Sequence, residues 1–130
     1  AGFLNKKINY LKNWTKRRVK NAKLYNKYLK DLQYVKIPNF KSDNHVFHLY
    51  VIQCNRRDEL KEYLENNNIF CGIHYPYSLP QTKAFKYLND KSNKVADNLS
   101  KKILSLPMGI HMDEKKIIKV VQLIKKFYTK

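Results

Sequence analysis

The run HVFHLYVIQC, residues 45–54, constrains the fold more than any other stretch of this chain. Read as a strand, it places Phe47, Leu49 and Val51 on one face and Val46, His48, Tyr50 and Ile52 on the other. Both faces are largely apolar. A strand of that kind belongs in the middle of a sheet and is covered on both sides. Its neighbours in sequence must therefore supply the cover.

From Leu4 to Leu32 apolar residues recur in steps of three and four: Leu4, Ile8, Leu11, Ala22, Tyr25, Leu29 and Leu32, flanked by Trp14 and Val19. Thr15 and Arg18 interrupt the stripe midway. The spacing predicts one long amphipathic helix within residues 1–32, lysine-rich on its outer face, packed along a larger neighbour or bridging two domains. VKIPNF contains Pro38 and is at best an edge strand. NRRDELKEYLENNN predicts a short helix with Asn55 as N-cap, Asp58 in its first turn and Leu60, Tyr63 and Leu64 inward. IFCGIHYP predicts a second strand, which runs into CGIHYPYSLPQ, residues 71–81. There Pro76 and Pro80 remove amide donors and fix φ, so residues 75–80 form a stiff, extended loop.

Beyond the loop a helical turn is expected over Thr82–Leu88, then a polar link NDKSN at 89–93. Val95, Ala96, Leu99 and Ile103 mark a further helix, ended by an extended SLP at 105–107. A last helix begins near Asp113 and turns Ile117, Val121, Ile124 and Tyr128 to one face. Its acids come first and its lysines last, as the helix dipole favours. This order predicts a single α+β domain, a two-layer α/β sandwich with a small, mainly antiparallel sheet under helices.

Composition narrows the function classes. At 130 residues the chain is long enough for one domain with a real core, and its 43% hydrophobic content fits a folded protein. The absence of a long apolar run or a signal-peptide pattern predicts a soluble protein with no membrane partner. The sequence opens at Ala1 with a basic helical pattern already under way, which suggests a piece of a longer polypeptide. Cys54 and Cys71 are not paired in a CxxC motif and read as small buried hydrophobes in a reducing compartment. The net charge of +17 would attract polyanions. Yet arginine, the residue suited to phosphate and base recognition, is confined to Arg17, Arg18, Arg56 and Arg57. Lysine is instead spread along the whole chain, alongside abundant asparagine, so the charge is a weak pointer to nucleic acid.

Residues able to carry chemistry are few. His45 and His48 lie three apart on the predicted strand and so face opposite ways, and neither His74 nor His111 has a carboxylate cluster beside it. With three glycines in all there is no phosphate-binding loop, and no serine or cysteine sits in a nucleophile elbow. No metal site and no self-contained catalytic machinery are expected. The stiff loop remains, because such loops display ligand contacts. His74, Tyr75 and Tyr77 are its candidate binding residues. The alternative is that both tyrosines cover the sheet edge while His74 satisfies a buried carbonyl.

Several blocks, in order, resemble the C-terminal domain of the pyridoxal-phosphate-dependent nucleotide-sugar aminotransferases of the DegT/StrS group. Trp14, Arg17, Arg18, Ala22 and Tyr25 stand at the positions of that family's entering helix. HVFHLYVIQCNRRDELKEYLENNNI is similar to its central strand and following helix, GIHYPYSLPQTKAF to its G-I-H-Y-P loop, and ADNLSKKILSLPMGIHMDEKKIIKVVQLI to its L-S-L-P-M closing segment. The resemblance covers essentially the whole chain. It implies the small C-terminal domain of a fold-type I pyridoxal phosphate enzyme, residues 1–130, with the helix of residues 1–32 leading from an N-terminal cofactor domain that lies outside this sequence.

In the parent, the resemblance implies a cytoplasmic, homodimeric aminotransferase of amino-sugar biosynthesis for cell-surface polysaccharides or related glycans. Glutamate would supply the amino group and a nucleotide-linked keto sugar would receive it. The Schiff-base lysine would lie in the other domain, so no cofactor is expected on this chain alone. The small domain would close the active site, with His74, Tyr75 and Tyr77 on the substrate side. Many members carry a second histidine where this chain has Pro80, so that contact is not carried over. The alternatives are a basic nucleic-acid-binding module and a non-catalytic interaction domain.

Overall fold

The computed structural model describes residues 2–40, 44–88 and 93–129. In chain order the elements are α1 (Gly2–Ile8), α2 (Leu11–Leu29), β1 (Val35–Lys36), β2 (Tyr50–Cys54), α3 (Arg57–Asn66), α4 (Lys94–Ser100), β3 (Ile103–Leu106) and α5 (Glu114–Tyr128). Two 3₁₀ turns, Leu79–Gln81 and Lys83–Leu88, lie between α3 and α4. The latter matches the helical turn expected from sequence. Of the polar link, only Asn93 falls among the described residues; its side chain accepts from the Ala96 amide and caps α4.

The sheet is antiparallel with order β1-β2-β3, so β1 is an edge and β2 is central, as their sequences predict. Tyr50 and Ile52 pair with Leu106 and Leu104, and these side chains turn to the helices with Cys54. Against them pack Ala22, Tyr25 and Leu29 of α2, Leu60 and Leu64 of α3, and Ile117, Val120, Val121 and Ile124 of α5. Polar ties close the layer. The Tyr25 hydroxyl donates to the Pro107 carbonyl at 2.9 Å, and the buried Arg57 donates from Nη1 to the Ser100 and Ile103 carbonyls at 3.1 and 3.2 Å. The expected two-layer α+β arrangement is thus what the chain adopts. Among the described residues no helix is long and apolar enough to cross a membrane.

Several elements differ from the sequence expectation. The single N-terminal helix is two, interrupted at Asn9–Tyr10, and its first piece buries nothing within this chain. The central strand is only five residues long. At Phe47 the backbone enters the left-handed region, φ 46°, which ends strand alternation and lets Phe47 reach the core from outside the strand. Val46 and His48 are therefore exposed rather than partners of Tyr50 and Ile52, and the opposite face of β2 is only half-buried. Helix α3 is preceded by Arg56 at φ 53°, not by an Asn55 cap, and Tyr63 is half-buried. The predicted second strand reduces to one bridge, Gly72 to Ser105. Ile103 belongs to β3 rather than to the helix before it, and Val95 on that helix is exposed. The closing helix matches, with Asp113 accepting from the Lys116 amide at 2.9 Å as its N-cap.

Candidate functional site

The candidate site is built on the sheet face turned away from the helices. Because Leu104 and Leu106 point to the core, Ser105 between them points to the other side, in register with Val51. Gly72 joins the outer side of β3 through a reciprocal pair: its amide donates to the Ser105 carbonyl at 3.1 Å, and the Ser105 amide donates back at 2.8 Å. His74 follows two residues later and so returns to the face that Ser105 occupies. Its Nδ1 lies 2.9 Å from Ser105 Oγ. The ring folds back over Gly72, where any Cβ would run into the imidazole. Here glycine serves close approach rather than an unusual φ.

Tyr75 and Tyr77, 73% and 65% exposed, project from the loop beyond. With Pro76, Leu79 and Thr82 they line a largely apolar hollow of about 420 Å³. The His74 ring stands edge-on to Tyr75, centroids 5.7 Å apart. The fold therefore brings the three residues picked out from sequence to one surface, with the two phenols sharing a hollow and the imidazole beside it. Neither tyrosine is buried against the sheet edge, and the partner of His74 is a hydroxyl, not a carbonyl.

Ser78, Gln81 and Asp97 also hold the loop, and none of the three was found from sequence. The buried Ser78 donates a very short hydrogen bond to the Asp97 carboxylate of α4. Its amide donates to Gln81 Oε1 at 3.3 Å and its carbonyl accepts from the Gln81 amide at 3.0 Å, which winds the following 3₁₀ turn. The loop is therefore not extended through residue 80 as expected: Pro80 sits half-buried inside that turn, where its fixed φ suits a tight helical geometry. The only sequence signal for Ser105 was a polar residue inside the apolar run ILSLPM. Asp97 gave none beyond its place near a helix start.

The remaining reactive groups sit apart from this face. Burial pushes the Cys54 thiol up to about 11 and the Cys71 thiol up to about 12, which keeps both protonated and unreactive. Burial likewise raises the Tyr25 and Tyr50 phenols. His45 lies outside the strand that was expected to hold it, its Nδ1 accepting from the Phe47 amide at 2.9 Å. The described residues contain no cluster of three or more His, Cys, Asp or Glu side chains able to hold a metal. Among the described side chains no lysine is buried, so none sits in the dry pocket in which a Schiff-base lysine is activated.

Comparison with known proteins follows the same lines. The model of the DegT/DnrJ/EryC1/StrS aminotransferase family matches residues 1–125. Among curated proteins, the chain is 27% identical over 128 residues to a dTDP-3-amino-3,6-dideoxy-alpha-D-galactopyranose transaminase of Aneurinibacillus thermoaerophilus, covering 98% of this chain and 35% of that one. Among solved structures it superposes on S. venezuelae DesV, determined with a ketimine intermediate, with a TM-score of 0.90 and 26% identity over 96% of this chain and 34% of that one. A DegT DnrJ EryC1 StrS aminotransferase from Brucella abortus gives a TM-score of 0.88 and 30% identity over 98% and 34%. The chain spans about a third of the length of these relatives, 35% of the first. With the family model matched nearly end to end and the same fold found in its solved members, the chain belongs to the DegT/DnrJ/EryC1/StrS aminotransferase family.

Proposed function

We propose that residues 1–130 are the small C-terminal domain of a fold-type I, pyridoxal-phosphate-dependent aminotransferase that acts on a nucleotide-linked keto sugar. In this reading α1 and α2 lead from a cofactor domain outside the sequence. That domain carries the Schiff-base lysine and the phosphate site, and the parent is a cytoplasmic homodimer that takes its amino group from glutamate. The cofactor supplies the electron sink. The residues of this chain bind and orient the sugar nucleotide and help exclude water as the small domain closes over the site.

One observation carries this reading. The His74–Tyr77 segment is exposed at its tips yet anchored at both ends, by Ser105 on one side and by the Ser78–Asp97 bond on the other. A surface loop with no ligand to meet has little reason to be held so firmly while presenting an imidazole and two phenols outward. The family relationship supports the same assignment. The lysine-rich surface adds long-range attraction for a diphosphate-linked sugar.

The test uses the longer protein that contains this domain. Replacing His74 with Ala is expected to raise KM or lower kcat for the keto sugar nucleotide by roughly ten-fold or more, the range of a lost hydrogen bond to a charged or developing oxygen. The absorbance of the bound cofactor should be unchanged. Unaltered turnover would make His74 structural and remove the site assignment.

A further inference from the structure

We infer that Ser105 is the positioning residue of His74: its hydroxyl holds the neutral imidazole in the tautomer protonated on Nε2, which turns an N–H donor outward to an acceptor oxygen of the ligand. The use of that donor rests on the substrate-side reading of His74; the tautomer itself does not.

The argument is one of hydrogen-bond accounting. Ser105 is 4% exposed, so its polar groups cannot turn to water. Its amide and its carbonyl are both engaged by Gly72. Only the hydroxyl is left, and its one partner among the described residues is His74 Nδ1 at 2.9 Å. A serine hydroxyl carries one proton, and a buried donor without an acceptor is costly. If Nδ1 bore a proton it would donate to Oγ, and the hydroxyl proton would then have nowhere to go. The consistent arrangement has Oγ–H donating to a bare Nδ1, which leaves the ring proton on Nε2.

The ring cannot easily turn away from this bond. Gly72 offers it a seat without a Cβ, and the same Gly72 is pinned to the main chain of Ser105. Hydroxyl, amide and carbonyl of one buried residue thus fix the position, the orientation and the protonated nitrogen of an exposed imidazole. The two residues are 31 apart in sequence and meet only because β3 carries the bridge.

Long-range proton–nitrogen spectra of the imidazoles in the ¹⁵N-labelled chain, taken where His74 is neutral, test this directly. His74→Gln identifies the signal among the four histidines. The wild-type ring is expected as the single Nε2–H tautomer. Ser105→Ala should convert it to an averaged mixture of both tautomers, with a backbone amide spectrum that remains that of a folded domain. An Nδ1–H tautomer in the wild type, or an unchanged pattern in folded Ser105→Ala, overturns the inference. Should Ser105→Ala fail to fold, the wild-type spectrum decides alone. Loss of the substrate reading through an inert His74→Ala variant would leave the tautomer result standing, so the two failures are distinguishable.

Discussion

At the scale of single residues, the G-I-H-Y-P run was legible because its residue types are unusual in this chain and Pro76 disfavours an α-helix there. What holds it was not legible. Ser105 and Asp97 lie 31 and 19 residues from the groups they bind, and no local pattern links such distances. Gly72 illustrates the same point, since only the folded chain lays the His74 ring across its Cα. Substituting Gly72 with Ala is expected to displace the imidazole and break its bond to Ser105. The clash is with an exposed side chain rather than with backbone, so the stability loss in urea unfolding should be about 1–3 kcal/mol, the cost of leaving the buried Ser105 hydroxyl without its acceptor. A loss of several kcal/mol would mean that the glycine serves the backbone instead.

At the scale of elements, the closing helix was readable to its cap because apolar spacing, Asp113 and the lysine-rich end all agree. The segment before it was not. Ile103 sits four residues after Leu99 and extends a helical stripe on paper, but pairing with Gln53 draws it into β3. Long-range pairing overrides a short periodic pattern, as helix α4 has only seven residues to resist it. The same contrast appears in the leucines. Leu60 is fully buried between α3 and the core, whereas Leu4 on α1 is 69% exposed. Leu60→Ala should cost about 2–5 kcal/mol in denaturant unfolding of the chain, and Leu4→Ala no more than about 0.5 kcal/mol. A large effect at Leu4 would show that the N-terminal stripe is covered in solution.

At the scale of the molecule, the buried thiols and phenols give stability an alkaline limit. Cys54 and Cys71 move from an ordinary 9.0 to about 11 and about 12, and Tyr25 and Tyr50 rise with them, all chiefly through desolvation. The folded state therefore keeps protons that the unfolded state releases. Stability is full below the unfolded thiol value and falls as pH rises through it, by about 1.4 kcal/mol per pH unit for each proton retained. Urea midpoints are expected to be flat near neutrality and to decline above about pH 9, where free thiols begin to ionise. Cys71→Ala should remove part of the slope. A midpoint that rises between pH 8 and 10, or a slope unchanged in Cys71→Ala, would contradict this assignment.

By itself the sequence determined the α+β class, the central place of the 50–54 strand, the edge strand before Pro38, the buried faces of α3 and α5, and a proline-containing loop bearing His74, Tyr75 and Tyr77. These follow from local periodicity and from residues with restricted backbones, which act over a few positions. Tertiary structure alone decided where the strands stop, that 103–106 is a strand, and which buried groups hold the loop. Such features depend on pairing and hydrogen-bond satisfaction between distant segments. Only a closed core makes an unpaired polar group costly enough for those partners to be chosen.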